Sequence, residues 1–379
     1  MRICFVLEHF YPHVGGVETL FSELVKRLVF SGNEIRIATS NSGGVTGTRD
    51  FHGATVHYFE SRSFFGHPLL SEQDITEHIQ WADIVHTTTY TAAPTAYTLS
   101  EKYEKPCIIT VHEAIGSKWL LVEKNPLKAL SFWLFEWFVV TKHYTAWHVV
   151  SHATETDLLQ YGVDRKKVET IYLGIDETIW NKDVMKTDIT RHFGVNPDKK
   201  VFIYTGRPGK PKGIFVLLDA IRKLDASLDA SYVFCFILSN DPLLERVRFE
   251  QIVKKEHLTN RIFITDSVPY PELPSLRKSA LAAIVPSLTE GFGFSAVETV
   301  ALGTPVIASD AGSLPEVLSG KVLFFRNNDS DDLAEKIIMA TRDEFLHLEE
   351  KTFSWSTTAK KLDSLYKKLC TDSKQNQTT

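Results

Sequence analysis

The sequence predicts an α/β protein built from two doubly wound parallel sheets. Three observations carry that expectation. The chain has 379 residues, more than one ordinary hydrophobic core accommodates. Short runs rich in β-branched and aromatic residues alternate with helical patterns from end to end, the mark of parallel α/β architecture. About six such runs fall in each half, and two sheets of that size form more readily than one very wide sheet.

In the first half the expected strands are 2–7, 34–39, 55–59, 83–87, 107–111, 148–151 and 168–172. In the second they are 201–205, 232–238, 261–264, 282–286, 305–308 and 322–325. Between the first two, Leu20, Phe21, Leu24, Val25 and Leu28 recur at helical spacing, with Glu18 in the first turn and Gly32 as a stop. Residues 125–140 predict a helix opened by Asn125 as cap and Pro126 as first residue. That helix is apolar nearly all round, which favours burial. Trp119, Trp133, Trp137 and Trp147 crowd the same region beside Lys118, Lys124, Lys128 and Lys142, so a peripheral membrane contact is the alternative. The linker is expected at 174–180. The domains are then 1–175 and 181–355, with a closing helix over 356–370 and a disordered polar tail over 371–379.

Composition excludes several classes. A hydrophobic content of 43% and a charged content of 23% are those of a globular enzyme, and a net charge of −5 gives no reason to expect nucleic acid. Cys4, Cys107, Cys235 and Cys370 share no metal-ligand spacing, and the first three lie in apolar runs, as buried thiols of a reducing compartment do. The chain runs directly into a strand without a leader pattern, and no stretch reaches the ~18 apolar residues of a membrane span. A cytoplasmic location is expected.

The chemistry concentrates in Glu290-Gly-Phe-Gly-Phe-Ser-Ala-Val-Glu298, between two buried strands. A glycine-hinged turn opens a helix there, where backbone N–H groups attract phosphate. The flanking carboxylates can accept hydrogen bonds from sugar hydroxyls. Upstream, Tyr204-Thr-Gly-Arg-Pro-Gly-Lys-Pro-Lys-Gly213 offers the planar fork of Arg207 and the point charge of Lys212, suited to a diphosphate. Lys210 is the rival of Lys212, and such a loop is otherwise a solvated basic one. Gly15 and Gly16 form a turn at the start of the first helix, and His112 follows a buried strand in Thr110-Val-His-Glu113. Gly291-x-Gly293-x-x-Ala296 also satisfies a dinucleotide fingerprint, but it sits far from the first βαβ unit and beside a carboxylate. Asp329-Ser-Asp331 reads as a helix cap rather than a metal ligand pair.

In this order, these segments resemble the retaining glycosyltransferases of family 4, with their Glu-x7-Glu signature. The resemblance runs from about residue 2 to about residue 366. It departs from the family at Glu113, Leu173, Ser239 to Asp241 and Ser313. It implies the GT-B fold, with two Rossmann-like domains facing an interdomain cleft and the closing helix packed on the N-terminal one. It further implies sugar transfer from a UDP- or GDP-sugar to a hydroxyl of a glycan, lipid-linked or polysaccharide acceptor. Glu290 would hold the donor sugar and Glu298 the ribose. Arg207 and Lys212 would hold the diphosphate with the amides near Gly15, Gly16 and Gly293, while His112 would touch the sugar. Phe292, Phe294 and Val268 would complete the donor site, the last in the stretch near the base. No metal and no cofactor beyond the nucleotide-sugar co-substrate is expected. A silent nucleotide-sugar-binding subunit, and a hydrolase or epimerase on the same fold, are the alternatives.

Overall fold

The computed structural model describes residues 1–13, 15–41, 44–64 and 67–377. The chain divides into two compact units. One comprises residues 1–120, 125–174 and 353–379, and the other residues 121–124 and 175–352.

The first unit carries an eight-stranded sheet. Its strands are β1 (Arg2–Leu7), β2 (Glu34–Ser40), β3 (Gly47–Phe51), β4 (Ala54–Phe59), β7 (Ile84–Thr88), β8 (Cys107–Val111), β9 (Ala146–Val149) and β10 (Val168–Thr170). The short pair β5 (Arg62–Phe64) and β6 (His67–Leu69) stands apart as a hairpin. The order across the sheet is β10-β9-β8-β7-β1-β2-β4-β3, parallel except for the last pair. Chain order reverses at β1, between β7 and β2, which is where open α/β sheets bind ligands. Register places Val6 beside Thr87, Thr88 beside Thr110 and Val111 beside Val149. The residues that follow β1, β7 and β8 therefore share one edge.

The last helix, Trp355–Gln377, belongs to this unit. Thr358 Oγ1 donates to Tyr172 O at 2.8 Å, and Asn33 Nδ2 donates to Asp363 Oδ1 at 2.9 Å. Gly174 is required where the helix begins, because a Cβ there would lie 2.0 Å from Trp355 N. Composition suggests a disordered tail from 371, but the helix continues through Gln377. The segment has no proline or glycine to stop it, and Cys370 anchors it by donating to Asp83 O at 3.7 Å. Thr378 and Thr379 lie outside the described residues.

The second unit carries β11 (Lys200–Gly206), β12 (Tyr232–Leu238), β13 (Ile262–Asp266), β14 (Ala282–Val285), β15 (Val306–Ser309), β16 (Gly320–Phe325) and β17 (Leu346–Leu348). Their order is β13-β12-β11-β14-β15-β16-β17, parallel except for β17. Strands β11, β12 and β14 are buried almost throughout, and Phe202, Phe234, Phe236 and Phe249 fill the core on one side. The chain order turns at the β11–β14 pair, so the loops after these two strands meet at the carboxyl edge.

No helix among the described residues is long and apolar enough to cross a membrane. The Pro126–Val140 helix starts as expected: Asn125 Oδ1 accepts from Leu127 N at 3.0 Å and Lys128 N at 3.3 Å. Its burial is one-sided, contrary to the expectation from its composition. Ala129, Val139 and Val140 are buried, whereas Leu127 is 77% exposed. The helix has one flank on the first sheet's core, while Leu130, Leu134, Trp137 and Phe138 on the other are exposed.

Candidate active site

In the second unit, the loops after β11 and β14 lock together through a glycine. Gly213 opens the Ile214–Leu224 helix at φ +65°, and a Cβ on it would lie 1.6 Å from Pro286 O. Leu288 N donates to Pro211 O at 2.7 Å. This contact brings Lys212 Nζ within 2.8 Å of Glu290 Oε2, to which Ser287 Oγ also donates at 3.0 Å. On the other side Gly312 lies so close that its Cβ would be 2.1 Å from Glu290 O, and Ser313 N donates to that carbonyl at 3.0 Å. Glu290 is thus clamped through its backbone, with Oε2 paired and Oε1 left as an acceptor among the described residues. Lys212 is the lysine of this loop that pairs with Glu290. Arg207 is exposed on the same loop, whose carbonyl takes the buried Tyr204 hydroxyl at 2.9 Å. Burial first, and then the negative charge of Glu290, push that hydroxyl well above its ordinary range.

Glu298 lies in the helix Phe294–Ala301, which Gly293 opens at φ +81°. Its Oε2 accepts from Arg277 Nη1 at 2.8 Å, and Tyr270 OH stands 3.5 Å from Oε1. The Arg277 guanidinium is 4.9 Å from the Trp180 ring centroid, and Trp180 Nε1 donates to Tyr270 OH at 2.7 Å. Burial raises the Glu298 carboxyl above its ordinary value, although Arg277 pulls it back. Sequence reasoning missed Arg277, because in Leu273–Ser279 it looks like one of two solvated helix cations. Trp180, assigned to the linker, and Tyr270 could have been paired with it only through the fold.

Phe292 is buried and meets Phe294 edge-on at 5.2 Å, so these rings shape the loop. Val268 is half-buried and packs on the cluster of Ile203, Ile237 and Leu276.

The first unit holds the other sequence candidates. Gly15 caps the Gly16–Phe30 helix with extended backbone at φ −164°, a conformation open to any residue. A Cβ there would fall 2.5 Å from Glu18 Oε2, the movable end of that side chain. Glu18 is buried, and its other oxygen lies 2.9 Å from His13 Nδ1. A carboxylate already faces the helix start where the amides of Gly15 and Gly16 were expected to meet phosphate. Val14 lies outside the described residues.

His112 follows β8. Burial, with His148 nearby, lowers it to about 3, so the ring is neutral near pH 7, and its buried Nε2 has no partner among the described residues. A pocket of about 380 Å³ opens beyond β7 and β8, lined by Thr89, Thr91, Glu113, Trp119, Phe132 and Phe135. A larger one, about 450 Å³, lies at the opposite edge of the second sheet against Lys200, Leu281 and Pro305, away from Glu290. Among the described residues no group of three His, Cys, Asp or Glu side chains is placed to hold a metal ion. Asp329 caps Ser330–Thr341, accepting from Asp331 N and Asp332 N at 3.0 Å.

Comparison with known proteins identifies the family. Residues 185–362 match the family described as glycosyl transferases group 1, and residues 14–179 match glycosyltransferase family 4. The chain belongs to these glycosyltransferases.

This glycosyltransferase is 24% identical over 312 residues to the alpha-maltose-1-phosphate synthase of Mycobacterium tuberculosis, covering 76% of this chain and 80% of the relative. Its fold is that of the sucrose-phosphate synthase of Thermosynechococcus elongatus, with a TM-score of 0.77 at 19% identity, over 97% of this chain and 98% of the other. The Anabaena protein Alr3699/HepE, solved in complex with UDP and glucose, matches with a TM-score of 0.72 at 18% identity, over 100% of both chains. The architecture is therefore GT-B, with two Rossmann-like units.

Proposed function

We propose that this glycosyltransferase moves a sugar, with retention of its anomeric configuration, from a UDP- or GDP-sugar to a hydroxyl of a glycan, lipid-linked or polysaccharide acceptor. The observation that carries the reading is the Lys212–Glu290 pair at 2.8 Å, a cation beside a half-satisfied carboxylate at the ligand-binding edge of a Rossmann-like sheet. The UDP and glucose held by the Anabaena neighbour support a nucleotide sugar as the donor class.

Each group has a task suited to its chemistry. Glu290 Oε1 accepts a hydroxyl of the donor sugar, fixing the ring against a backbone that two glycines keep rigid. Lys212 and Arg207 meet the negative charge that develops as the anomeric carbon–phosphate oxygen bond breaks. The new bond forms from the acceptor oxygen to the same carbon. The acceptor proton passes to the leaving diphosphate. Two protein cations at the diphosphate do work that a divalent ion does elsewhere, so the reaction does not strictly need one. Glu298 takes the ribose hydroxyls, oriented by Arg277. His112 offers a neutral Nε2, unpartnered among the described residues, to a sugar hydroxyl. The pocket of about 380 Å³, largely apolar with Thr89, Thr91 and Glu113 on its wall, is the proposed acceptor site.

Thermal shift against nucleoside diphosphates tests the donor half of the proposal. A ligand at 100 times its dissociation constant stabilises by ~2.7 kcal/mol, and Lys212→Ala should abolish most of that gain. No stabilisation by any nucleoside diphosphate or its sugar would remove the reading.

A further inference from the structure

The sheet of the second unit carries a second cluster of cations at the end away from Glu290. At the amino edge, where β11, β14 and β15 begin, a pocket of about 450 Å³ is lined by Lys186, Lys199, Lys200 and Lys278. Strand β11 runs from Lys200 to Gly206, and at about 3.3 Å per residue it separates the two edges by roughly 20 Å. One small ligand does not reach both.

Four lysines around one cavity need a counter-charge, and the protein does not supply it. The chain has 47 acidic residues against 42 lysines and arginines, yet the partners of these four among the described residues are neutral. Lys199 Nζ donates to Ala230 O at 2.6 Å, Lys278 Nζ donates to Lys182 O, and Lys200 Nζ lies 5.0 Å from the Tyr232 ring centroid. The Asp229 carboxyl, held low first by its bonds from Ser231, also senses Lys199 without pairing with it. Lys278 sits in the last turn of Leu273–Ser279, where a positive charge answers the carbonyl end of the helix. Lys186, Lys199 and Lys200 lie in no helix, so that reason does not extend to them.

A second observation is independent of charge. Thr304 lines the same pocket and is 6% exposed, and its buried hydroxyl oxygen has no partner among the described residues. Burying a hydroxyl unpaired is costly, and a ligand oxygen that meets it removes the cost. Leu281, Leu302 and Pro305 make the remaining wall apolar. Ammonium groups, a hydroxyl and apolar surface therefore converge on one cavity.

We propose that this pocket binds a small organic phosphate, with its phosphoryl oxygens on the lysines and its carbon skeleton against Leu281, Leu302 and Pro305. Lysine meets phosphate as a mobile point charge. The volume is that of a small-molecule site and more than inorganic phosphate fills. The site is distinct from the donor edge, so its occupant does not compete with a nucleotide sugar.

The test is isothermal titration of the full chain with glucose 6-phosphate, fructose 1,6-bisphosphate and 3-phosphoglycerate, with glucose and inorganic phosphate as controls. At least one organic phosphate should bind at submillimolar concentration, glucose should not bind, and inorganic phosphate should bind more weakly. Lys186→Glu/Lys200→Glu should weaken that binding by roughly tenfold or more, whereas Lys186→Arg/Lys200→Arg should retain it. Both positions are exposed, so the melting temperature should stay that of the parent. Lys212→Ala should leave organic phosphate binding intact. The melting-temperature shift by nucleoside diphosphate should survive Lys186→Glu/Lys200→Glu and be lost in Lys212→Ala, so failure of the donor assignment shows separately. Absence of binding by all three organic phosphates overturns the proposal. So does binding that Lys212→Ala abolishes and Lys186→Glu/Lys200→Glu leaves unchanged.

Discussion

Glu290 and Glu298 are eight positions apart and have different surroundings. On the proposed role of Glu290 in holding the donor sugar, Glu290→Ala should lower kcat by about 10² or more, because it releases a sugar whose bond is breaking. Lys212→Ala should remove charge stabilisation of the leaving group and cost about 10²–10³ in kcat. At Glu298 the loss has two parts. The ribose binding proposed for Glu298 is the same in the ground and transition states, so its loss should raise KM more than it lowers kcat. Alanine there would also leave Arg277, 4% exposed, without its counter-ion, costing about 3–5 kcal/mol of stability. Glu298→Gln keeps an acceptor oxygen and separates the two effects. Steady-state kinetics with varied donor, alongside melting temperatures, distinguish these outcomes. A Glu298→Ala protein that melts normally would contradict the buried pair.

At the scale of elements, one row of polar groups crosses the first sheet and fixes its own protons. A carbonyl only accepts, so His148 Nε2 donates to Ile171 O at 2.9 Å. His148 Nδ1 then accepts from the Thr110 hydroxyl at 2.8 Å, and that oxygen accepts from His86 Nε2 at 2.7 Å. His86 Nδ1 is left to accept from Tyr366 OH at 2.6 Å, tying the last helix to β7. Both imidazoles must be neutral. Burial, then the neighbouring histidines, holds His86 well below its ordinary value, and burial holds His148 at about 4. Between the ordinary 6.5 and about 4 the unfolded chain binds more protons than the folded one. Stability is therefore full above pH 6.5 and falls as pH drops toward 4. Melting temperature followed across that window should decline in the parent, and Tyr366→Phe should melt lower at neutral pH by the loss of one buried bond, about 1–3 kcal/mol. A flat profile would contradict the network.

What was legible in the sequence follows from which elements are buried. Strands such as β11 and β14, covered on both faces, announce themselves as apolar runs, and Leu20 to Leu28 announce the first helix by period. The edge strands β3 and β17 do not, because Gly47–Phe51 and Leu346–Leu348 are largely exposed and polar or short. Glu290 and Lys212 stood out as candidates, and Asn125 and Asp329 as helix caps, through local chemistry. Arg277 and the exposed stripe of Pro126–Val140 were not, since a cation's burial and a helix's uncovered side are properties of what packs nearby. Gly213 closes the Lys212 motif in the sequence, but its reason is tertiary contact with Pro286. Gly213→Ala should therefore misplace Lys212 and lower kcat as well as stability.

On the scale of the whole molecule, both units are built by one rule, a parallel sheet whose chain order reverses beside the loops that carry chemistry. The Glu290 loop belongs to one, His112 and the pocket to the other. Because Trp355–Gln377 completes the first unit, a chain ending at residue 352 should lose the first unit's stability and aggregate, which analytical size exclusion would show. Activity should persist in excess chelator, given the Lys212 and Arg207 charges. Complete loss restored only by magnesium or manganese would contradict that part.

The most direct measurement is nucleoside diphosphate release from a panel of UDP- and GDP-sugars, with and without acceptor alcohols, for the parent and Glu290→Ala. Release should depend on acceptor, yield a product with the donor's anomeric configuration, and fall by about 10² or more in the variant. Binding without turnover on every donor, release indifferent to acceptor, or a variant with near-normal kcat would contradict glycosyl transfer at the Lys212–Glu290 site.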